Sequence, residues 1–503
     1  MVSTFPKKYS NQLIIIAFTF FYLLFPTHNS TTDAYIYAGN VKWNNDLFFP
    51  HHLLYNLPGR LIYSTFQSFG FEINVLQLMK ILNAVVAGLA LSVFLKIIKQ
   101  LPIEKRTITG LLLIAGSSFV FLRFATENEA YVLPFFLSLL SSYYFLLFLN
   151  KQKTLLIALS GLFASLACIF HQIHIFWAFG LFIGLLLYKR KVKSILFFTL
   201  PALLIPLVYF IAFRYGNNDF MRANSFFSFV LFDYFYGIAH VQFNINYIVL
   251  GFINMIRSYV QVHGIIIILI KKFIFLIVVI LFFAFFLIKA LLNFKSTRIK
   301  KPLNIHFLRT HLIIFILQFA FAVFAGGNAE FMIMLPALSL LLITGYVNLS
   351  SKFYKNLGVT ILIWNFSFAI FPNYFLDYQN NKQLINIIEM QPDDYFILSE
   401  DVFIQNKIYY HTGVPWNKHI LKSPAGYKIN GTDRIELRVK IDSLLNKKRN
   451  IYTDCINEPI IYNRAAYLSA NENIFFFKNY LTLKTDSFQT LAGTKYIYRV
   501  IGQ

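Results

Sequence analysis

Residues 7–33 read KKYSNQLIIIAFTFFYLLFPTHNSTTD. Lys7 and Lys8 precede an apolar run from Leu13 to Phe25, and the chain then turns polar at Pro26 and reaches Asp33. Cations, then an apolar run, then a polar exit mark a segment that starts on the cytoplasmic side of a membrane and crosses outward. The run also has the look of a secretory signal. It lacks a small-x-small cleavage pattern, however, and many apolar runs follow it, so the reading is a retained first span.

Ten further apolar runs lie at 75–98, 108–124, 130–149, 155–170, 173–188, 194–213, 273–290, 310–325, 331–347 and 357–375. A span needs about 20 apolar residues, which makes about eleven transmembrane helices. If Lys7 and Lys8 are inside, the even-numbered turns are cytoplasmic and should be basic. They carry Lys96, Lys99, Lys105 and Arg106; Lys151 and Lys153; the 189–193 cluster; six cations between 289 and 309; and Lys352 with Lys355. Twenty of the 29 basic residues in 1–376 fall inside, eight outside, and Lys80 lies within a span. This bias predicts an N-in, C-out topology. Residues 246–270 are apolar but interrupted by Arg257 and His263, and they are expected to lie along the membrane as an interfacial helix.

Composition agrees. The chain has 503 residues, 57% hydrophobic and only 13% charged, against about 25% charged in globular proteins. Its net charge of +23 sits mostly in short loops between apolar runs, which argues against a nucleic-acid partner. Two cysteines, Cys168 and Cys455, exclude a disulfide framework.

The expected fold class is therefore an all-α polytopic membrane protein with a small C-terminal α/β domain outside the cytoplasm. Residues 1–376 form the membrane module and 377–503 the domain. In the latter, 395–398, 451–453 and 496–501 read as strands and Glu436–Lys448 as a helix. The outer segments of the module are 27–74, 125–129, 171–172, 214–272 and 326–330. The first holds two short helices, Asp33–Asn45 and His52–Phe69, with a bend in the second at Pro58-Gly59.

Only nine carboxylates precede residue 377, and all but Glu104 fall on the outer side of this topology. Acids gathered at one face of an apolar body point to a reaction or binding centre. Asp46 and Glu72 lack motif context and read as solvated loop acids. Glu127 and Glu129 also suit the N-terminus of the following span, as Glu330 suits its own helix. Arg123, Arg214, Arg222 and Arg257 read equally as lipid-headgroup contacts. His171 and His174, three apart with no acid beside them, make a poor metal pair.

The segments Thr31–Ala38, Phe49–Tyr55, Thr126–Pro134 and Gly327–Phe331 resemble those of the GT-C glycosyltransferases. Among them the chain looks most like the protein O-mannosyltransferases and lipid A aminoarabinose transferases. Where that family often has two adjacent acids in the first loop, this chain has Asp33-Ala34. The resemblance implies an inverting glycosyltransferase that moves a sugar from a polyprenyl-phosphate donor to a glycan, lipid or protein acceptor. It implies catalytic roles for Asp33, Glu127 and Glu129, and substrate-binding roles for His51, His52, Arg123, Arg214, Arg222, Arg257 and Glu330. A carboxylate would take the acceptor proton, and arginines would hold the departing phosphate. No cofactor is required. A divalent cation is compatible with this chemistry, but no ligand motif supports one. Membrane lipids, the donor and an unknown acceptor are the expected partners, and a bacterial inner membrane with the site facing outward is the expected location. A polysaccharide polymerase or ligase and a transporter stay open as alternatives. The outer acids speak against the former, and the near absence of charge within the spans speaks against the latter.

Overall fold

A computed structural model describes residues 10–101, 103–188, 191–216, 223–232, 245–262, 264–294, 296–297, 304–414, 417–427, 432–458 and 464–502. Arg222, Asp219, Asp233 and His263 lie outside the described residues.

Each of the eleven apolar runs coincides with a helix. Six helices are long and apolar enough to cross a membrane: Val75–Ile98, Val132–Lys151, Val192–Tyr215, Ile305–Phe324, Ala329–Tyr346 and Ser351–Phe375. A seventh is a broken pair, Lys105–Ser117 and Phe119–Ala125, bent by 62°. The remaining four, Ser10–Leu24, Thr154–Phe170, Gln172–Tyr188 and Leu276–Leu292, have 17 residues or fewer. Seventeen residues rise about 25 Å, short of the ~30 Å hydrocarbon core. The described chain is thus a polytopic membrane protein in which six or seven helices are long and apolar enough to span. Local chemistry sets these ends: Pro26 follows the first helix, and His171 takes an extended conformation that separates Phe170 from Gln172.

Packing divides the chain into two units: residues 1–27, 40–261 and 275–371, and residues 28–39, 262–274 and 372–503. The first is the helical body. Its helices pack through small residues, as membrane helices do. A Cβ built on Gly110 would stand 2.6 Å from the Tyr354 backbone, so the helices Lys105–Ser117 and Ser351–Asn365 meet backbone to backbone.

In the first outer loop, helices form at Thr32–Trp43 and Asn56–Ser68. Pro58 falls in the first turn of the second, where a missing N–H costs no helical hydrogen bond, so it starts that helix rather than bending it. The apolar stretch 246–270 is split into Ile245–Arg257 and Ile265–Lys272. At 13 and 8 residues, neither can cross a membrane. The first exposes Ile245, Val249, Phe252 and Ile256 along one stripe.

The second unit is built on a five-stranded sheet. Its strands are β1 Tyr395–Leu398, β2 Ile420–Lys422, β3 Ile451–Thr453, β4 Leu481–Thr490 and β5 Gly493–Gly502, in the order β2-β1-β3-β5-β4. β1 pairs parallel with β2 and β3, while β5 runs antiparallel to β3 and β4. Alternation along β1 sends Phe396 and Leu398 to one face and Ile397 to the other. The first face packs on Leu384, Ile388 and Ile404, and the second on Leu437, Ile441 and Phe476. Residues 28–39 join this unit: Asn29 donates to the carbonyls of Asn373 (3.1 Å) and Leu376 (2.6 Å) and accepts from the Tyr378 N–H (2.9 Å).

Candidate functional site

The turn that carries two of the predicted acids is held from below by one face of the helix Val75–Ile98. Lys80 and Asn83, three residues apart, lie on that face. Lys80 Nζ donates to the Thr27 carbonyl at 2.6 Å and stands 3.8 Å from Glu127 Oε1, with both side chains only 2% exposed. Asn83 Nδ2 reaches the carbonyls of Glu127 (2.7 Å) and Glu129 (2.8 Å) and the Tyr55 hydroxyl (3.1 Å). Tyr55 donates to Asn128 Oδ1 at 2.7 Å, and the Asn128 N–H donates to Glu127 Oε1 at 2.8 Å. Glu127, Asn128 and Glu129 are all buried. Glu127 is thus one member of a buried ion pair. Lys80 stood out in the sequence only as a lone charge within a span, and Asn83 and Tyr55 carried no signal of their own. The i,i+3 spacing of Lys80 and Asn83 was the one available hint.

The segments that carry Arg123 and Arg257 meet at a break in a helix. The Gly116-Ser117-Ser118 stretch interrupts the span, and sequences of this kind are frequent kink sites. The backbone groups freed by the break must find partners in an apolar setting. The Ser117 carbonyl accepts from Asn365 Nδ2 at 2.7 Å, and the N–H groups of Phe119 and Val120 donate to Tyr259 and Ser258 carbonyls, both at 3.1 Å. Asn365, fully buried, also donates to the Tyr259 carbonyl (2.7 Å) and accepts from Gln261 N–H (2.9 Å). One asparagine therefore ties the short helix that carries Arg123 to the segment that follows Arg257.

Arg257 is half-buried. Its Nη1 donates to Asn254 Oδ1 at 2.8 Å, while its buried Nε has no hydrogen-bond partner. Burial first, and then the positive charge of Arg123, push the Arg257 guanidinium below its usual value. Arg123 is exposed at its side chain. Among the described residues neither arginine has a carboxylate within ion-pair distance. Arg123 is near enough for its charge to act on Arg257.

Asn254 links this pair to the second acid turn. Its Nδ2 donates to the Gly327 carbonyl at 2.5 Å, and Gly326 and Gly327 both take positive φ (78° and 70°) so that the chain can reverse there. Asn328 then caps the short turn Ala329–Met332, accepting from the Glu330 N–H at 3.0 Å. The half-buried Glu330 carboxylate accepts from Tyr131 Oη at 3.4 Å. Tyr131 directly follows the first acid turn, so it couples the two.

Three histidines gather on the other side of Tyr131. His52 lies 4.1 Å from His171 and 4.2 Å from His51, ring centre to ring centre, and Tyr131 lies 5.1 Å from His171. Gln172 joins the two loops, donating from its backbone N–H to the His51 carbonyl (3.1 Å) and from Nε2 to the Pro50 carbonyl (3.2 Å). Burial, reinforced by His171 and His51, holds the His52 imidazole well below its usual value; burial, then His174 and His51, does the same for His171. His171 Nδ1 accepts from the Ile173 N–H (3.3 Å), which leaves the proton on Nε2, a buried donor without a partner. No group of three or more His, Cys, Asp or Glu side chains among the described residues is arranged to hold a metal ion.

The other sequence-predicted residues are placed as follows. Asp33 is the exposed second residue of the helix Thr32–Trp43, whose N-terminus Thr31 Oγ1 caps by accepting from Ala34 N–H at 3.1 Å, and it belongs to the second unit. Arg214 ends the helix Leu204–Tyr215 with its side chain exposed. Arg222 is not among the described residues. Glu72 is exposed, as expected, but Asp46 is 1% exposed rather than solvated, in a tight reversal with φ of 44° where its carbonyl accepts from Asn40 Nδ2 (3.1 Å).

No family model matches the sequence, and no curated protein does. Solved structures do resemble the chain. The Archaeoglobus fulgidus oligosaccharyltransferase, in its complex with Zn and sulfate, aligns over 96% of this chain and 72% of its own, with 12% identity and a TM-score of 0.49. ArnT from Cupriavidus metallidurans aligns over 97% of both chains. In the apo state it gives 9% identity and a TM-score of 0.40; bound to undecaprenyl phosphate it gives 8% and 0.42.

Proposed function

We propose that this protein is an inverting membrane glycosyltransferase that takes a sugar from a polyprenyl-phosphate donor and passes it to a hydroxyl or amine acceptor at the outer face of a bacterial inner membrane. The Arg123–Arg257 pair carries the reading. Guanidinium–phosphate contacts are charge-assisted and directional, and two guanidinium groups suit a phosphodiester that gains a second negative charge as the sugar leaves it. The leaving group of such a donor is a phosphate.

In the proposed reaction the acceptor oxygen or nitrogen attacks the anomeric carbon as the bond from that carbon to the phosphate oxygen breaks. The electron pair leaves with the phosphate, where Arg123 and Arg257 stabilise the growing charge. The acceptor proton passes to a carboxylate acting as general base. Asp33 and Glu129 are the candidates for that role. Glu127, paired with Lys80, is assigned to fixing the turn that presents Glu129. Glu330 with Tyr131, and His51 with His52, line the acceptor side, while Arg214 and Arg222 contact the lipid carrier. The N-in, C-out topology and the four shorter apolar helices, counted as spans tilted little from the membrane normal, complete the eleven-span reading.

The test is transfer from a radiolabelled polyprenyl-phosphate sugar by the purified protein in lipid nanodiscs. Arg257→Gln and Arg123→Gln should each lower kcat/KM by ~10²-fold, the scale of a lost charge-assisted contact in the transition state. If both variants transfer at the wild-type rate, the arginines do not hold the phosphate.

A further inference from the structure

We propose that the C-terminal unit carries a second ligand site: a cleft between the helix Ile265–Lys272 and the β4–β5 hairpin that takes a phosphate-bearing ligand of sugar size. The cleft encloses about 700 Å³ and lies entirely within this unit. Small-molecule sites typically fall at roughly 300–1,000 Å³. Lys271, Lys272 and Lys495 line it from two elements far apart in sequence, with Glu458 as the one acid among the described residues.

Chemistry and rigidity both favour a bound anion. Lys271 and Lys272 close a helix C-terminus, where cations are stabilised in any case, so their presence alone decides nothing. Lys495 sits at no helix terminus; its charge acts on Glu400 across the neighbouring crevice. It is half-buried on β5, which returns from the hairpin turn, and it lines both this cleft and the narrow crevice beside it. That crevice opens at the carboxyl ends of β1 and β3, between Ser399, Glu400 and Asp454. The chain leaves β1 to one side for β2 and returns on the other for β3. That crevice has room for only about 10 Å³, so it takes no ligand itself, and the cleft beside the hairpin is the one with space for one.

The walls are fixed before any ligand arrives. Asn457 donates to the carbonyls of Tyr496 (2.7 Å) and Asp454 (2.6 Å) and accepts from Tyr496 N–H (2.9 Å), locking the 454–457 turn onto β5. Asp454 is already engaged, accepting from Ser399 N–H (2.6 Å) and Oγ (2.8 Å), so it does not compete for the lysines. Tyr496 and Tyr498 add half-buried rings to the lining; the Lys484 ammonium lies over the Tyr496 ring, which leaves Tyr498 to offer an apolar face with a polar tip of the kind that suits a sugar ring.

The probe is glucose 6-phosphate, titrated by calorimetry into the full-length protein in phosphatidylcholine nanodiscs, with glucose as the uncharged control. A second arm measures sedimentation of the protein's detergent-solubilised form with phosphatidylglycerol against phosphatidylcholine vesicles. Lys495→Gln and the pair Lys271→Gln/Lys272→Gln should each weaken binding by ~10-fold or more, as expected for a charge-assisted contact. Loss in the calorimetric arm identifies a soluble phosphosugar source. Loss only in the vesicle arm identifies a lipid headgroup. The lysine variants should keep wild-type sugar transfer, which separates this site from the proposed donor site. Lack of phosphate-dependent binding in either arm, or binding indifferent to all three lysines in variants that unfold at the wild-type temperature, would overturn the proposal.

Discussion

Lys80 and Glu127 show how a charge can be kept in an apolar body. Each is buried and each partly neutralises the other, while Lys80 also satisfies the Thr27 carbonyl. Removing one partner strands the other, which costs about 3–5 kcal/mol, whereas removing both can be close to neutral. Lys80→Met should therefore destabilise the detergent-solubilised protein strongly in a thermal or denaturant unfolding measurement, and Lys80→Met/Glu127→Gln should recover most of the loss. Equal destabilisation in the single and double variants would show that the ion pair is not what stabilises the turn. His52 and His171 make a second residue-scale prediction. Burial depresses both imidazoles, so the folded protein binds fewer protons than the unfolded chain below the ordinary histidine value of about 6.5. Their contribution to stability is complete above that value and is lost as pH falls through it toward the folded values. The unfolding temperature should drop between about pH 7.5 and pH 5, the range bracketing the unfolded histidine pKa, and the drop should be shallower in His52→Gln/His171→Gln. An identical pH profile in that double variant counts against the assignment.

At the scale of elements, the broken helix depends on a residue far away in sequence. Asn365 donates to the Ser117 and Tyr259 carbonyls and accepts from Gln261 N–H; the Tyr259 carbonyl keeps the Phe119 N–H, so Asn365→Leu leaves two backbone groups, the Ser117 carbonyl and the Gln261 N–H, without partners. Each such group costs about 1–3 kcal/mol. The variant should unfold at a clearly lower temperature and lose sugar transfer beyond what its stability loss explains, because the Arg123 and Arg257 segments would no longer be tied together. A stable Asn365→Leu with wild-type transfer would show that the break holds itself. The sequence held part of this element. Gly116-Ser117-Ser118 is a readable weak point, and the apolar run 108–124 placed the span. The partner 248 residues away was not readable, because no periodicity marks which buried polar residue serves which break. The same limit hid Asp46: a loop acid looks solvated in sequence, and only the packing around a positive-φ reversal shows that it is buried. Strand alternation, a local property, located β1, β3 and β5 within a few residues.

For the whole molecule, hydropathy located every apolar helix, and helix length then separates them: six or seven are long enough to span, while Ser10–Leu24, Thr154–Phe170, Gln172–Tyr188 and Leu276–Leu292 have 17 residues or fewer. Orientation comes from a separate quantity, the distribution of charge. Twenty basic residues on the cytoplasmic side, Lys7 and Lys8 with eighteen in the even-numbered turns, against eight outside predict that everything beyond residue 376 lies outside the cytoplasm. That placement decides whether Asp33 and the C-terminal sheet can meet a donor presented at the outer leaflet. A cytoplasm-dependent fluorescent reporter fused after Gln503 should be dark, and the same reporter inserted between Lys151 and Lys153 should be bright. Asp33→Asn in the same membranes should lower transfer by ~10²-fold or more if this carboxylate is the general base, with insertion unchanged because the side chain is exposed in the first turn of its helix. A bright reporter after Gln503 would put Asp33 on the wrong side of the membrane. A dark reporter with full activity in Asp33→Asn would instead move the base to Glu129, whose turn is anchored by Lys80 and Asn83.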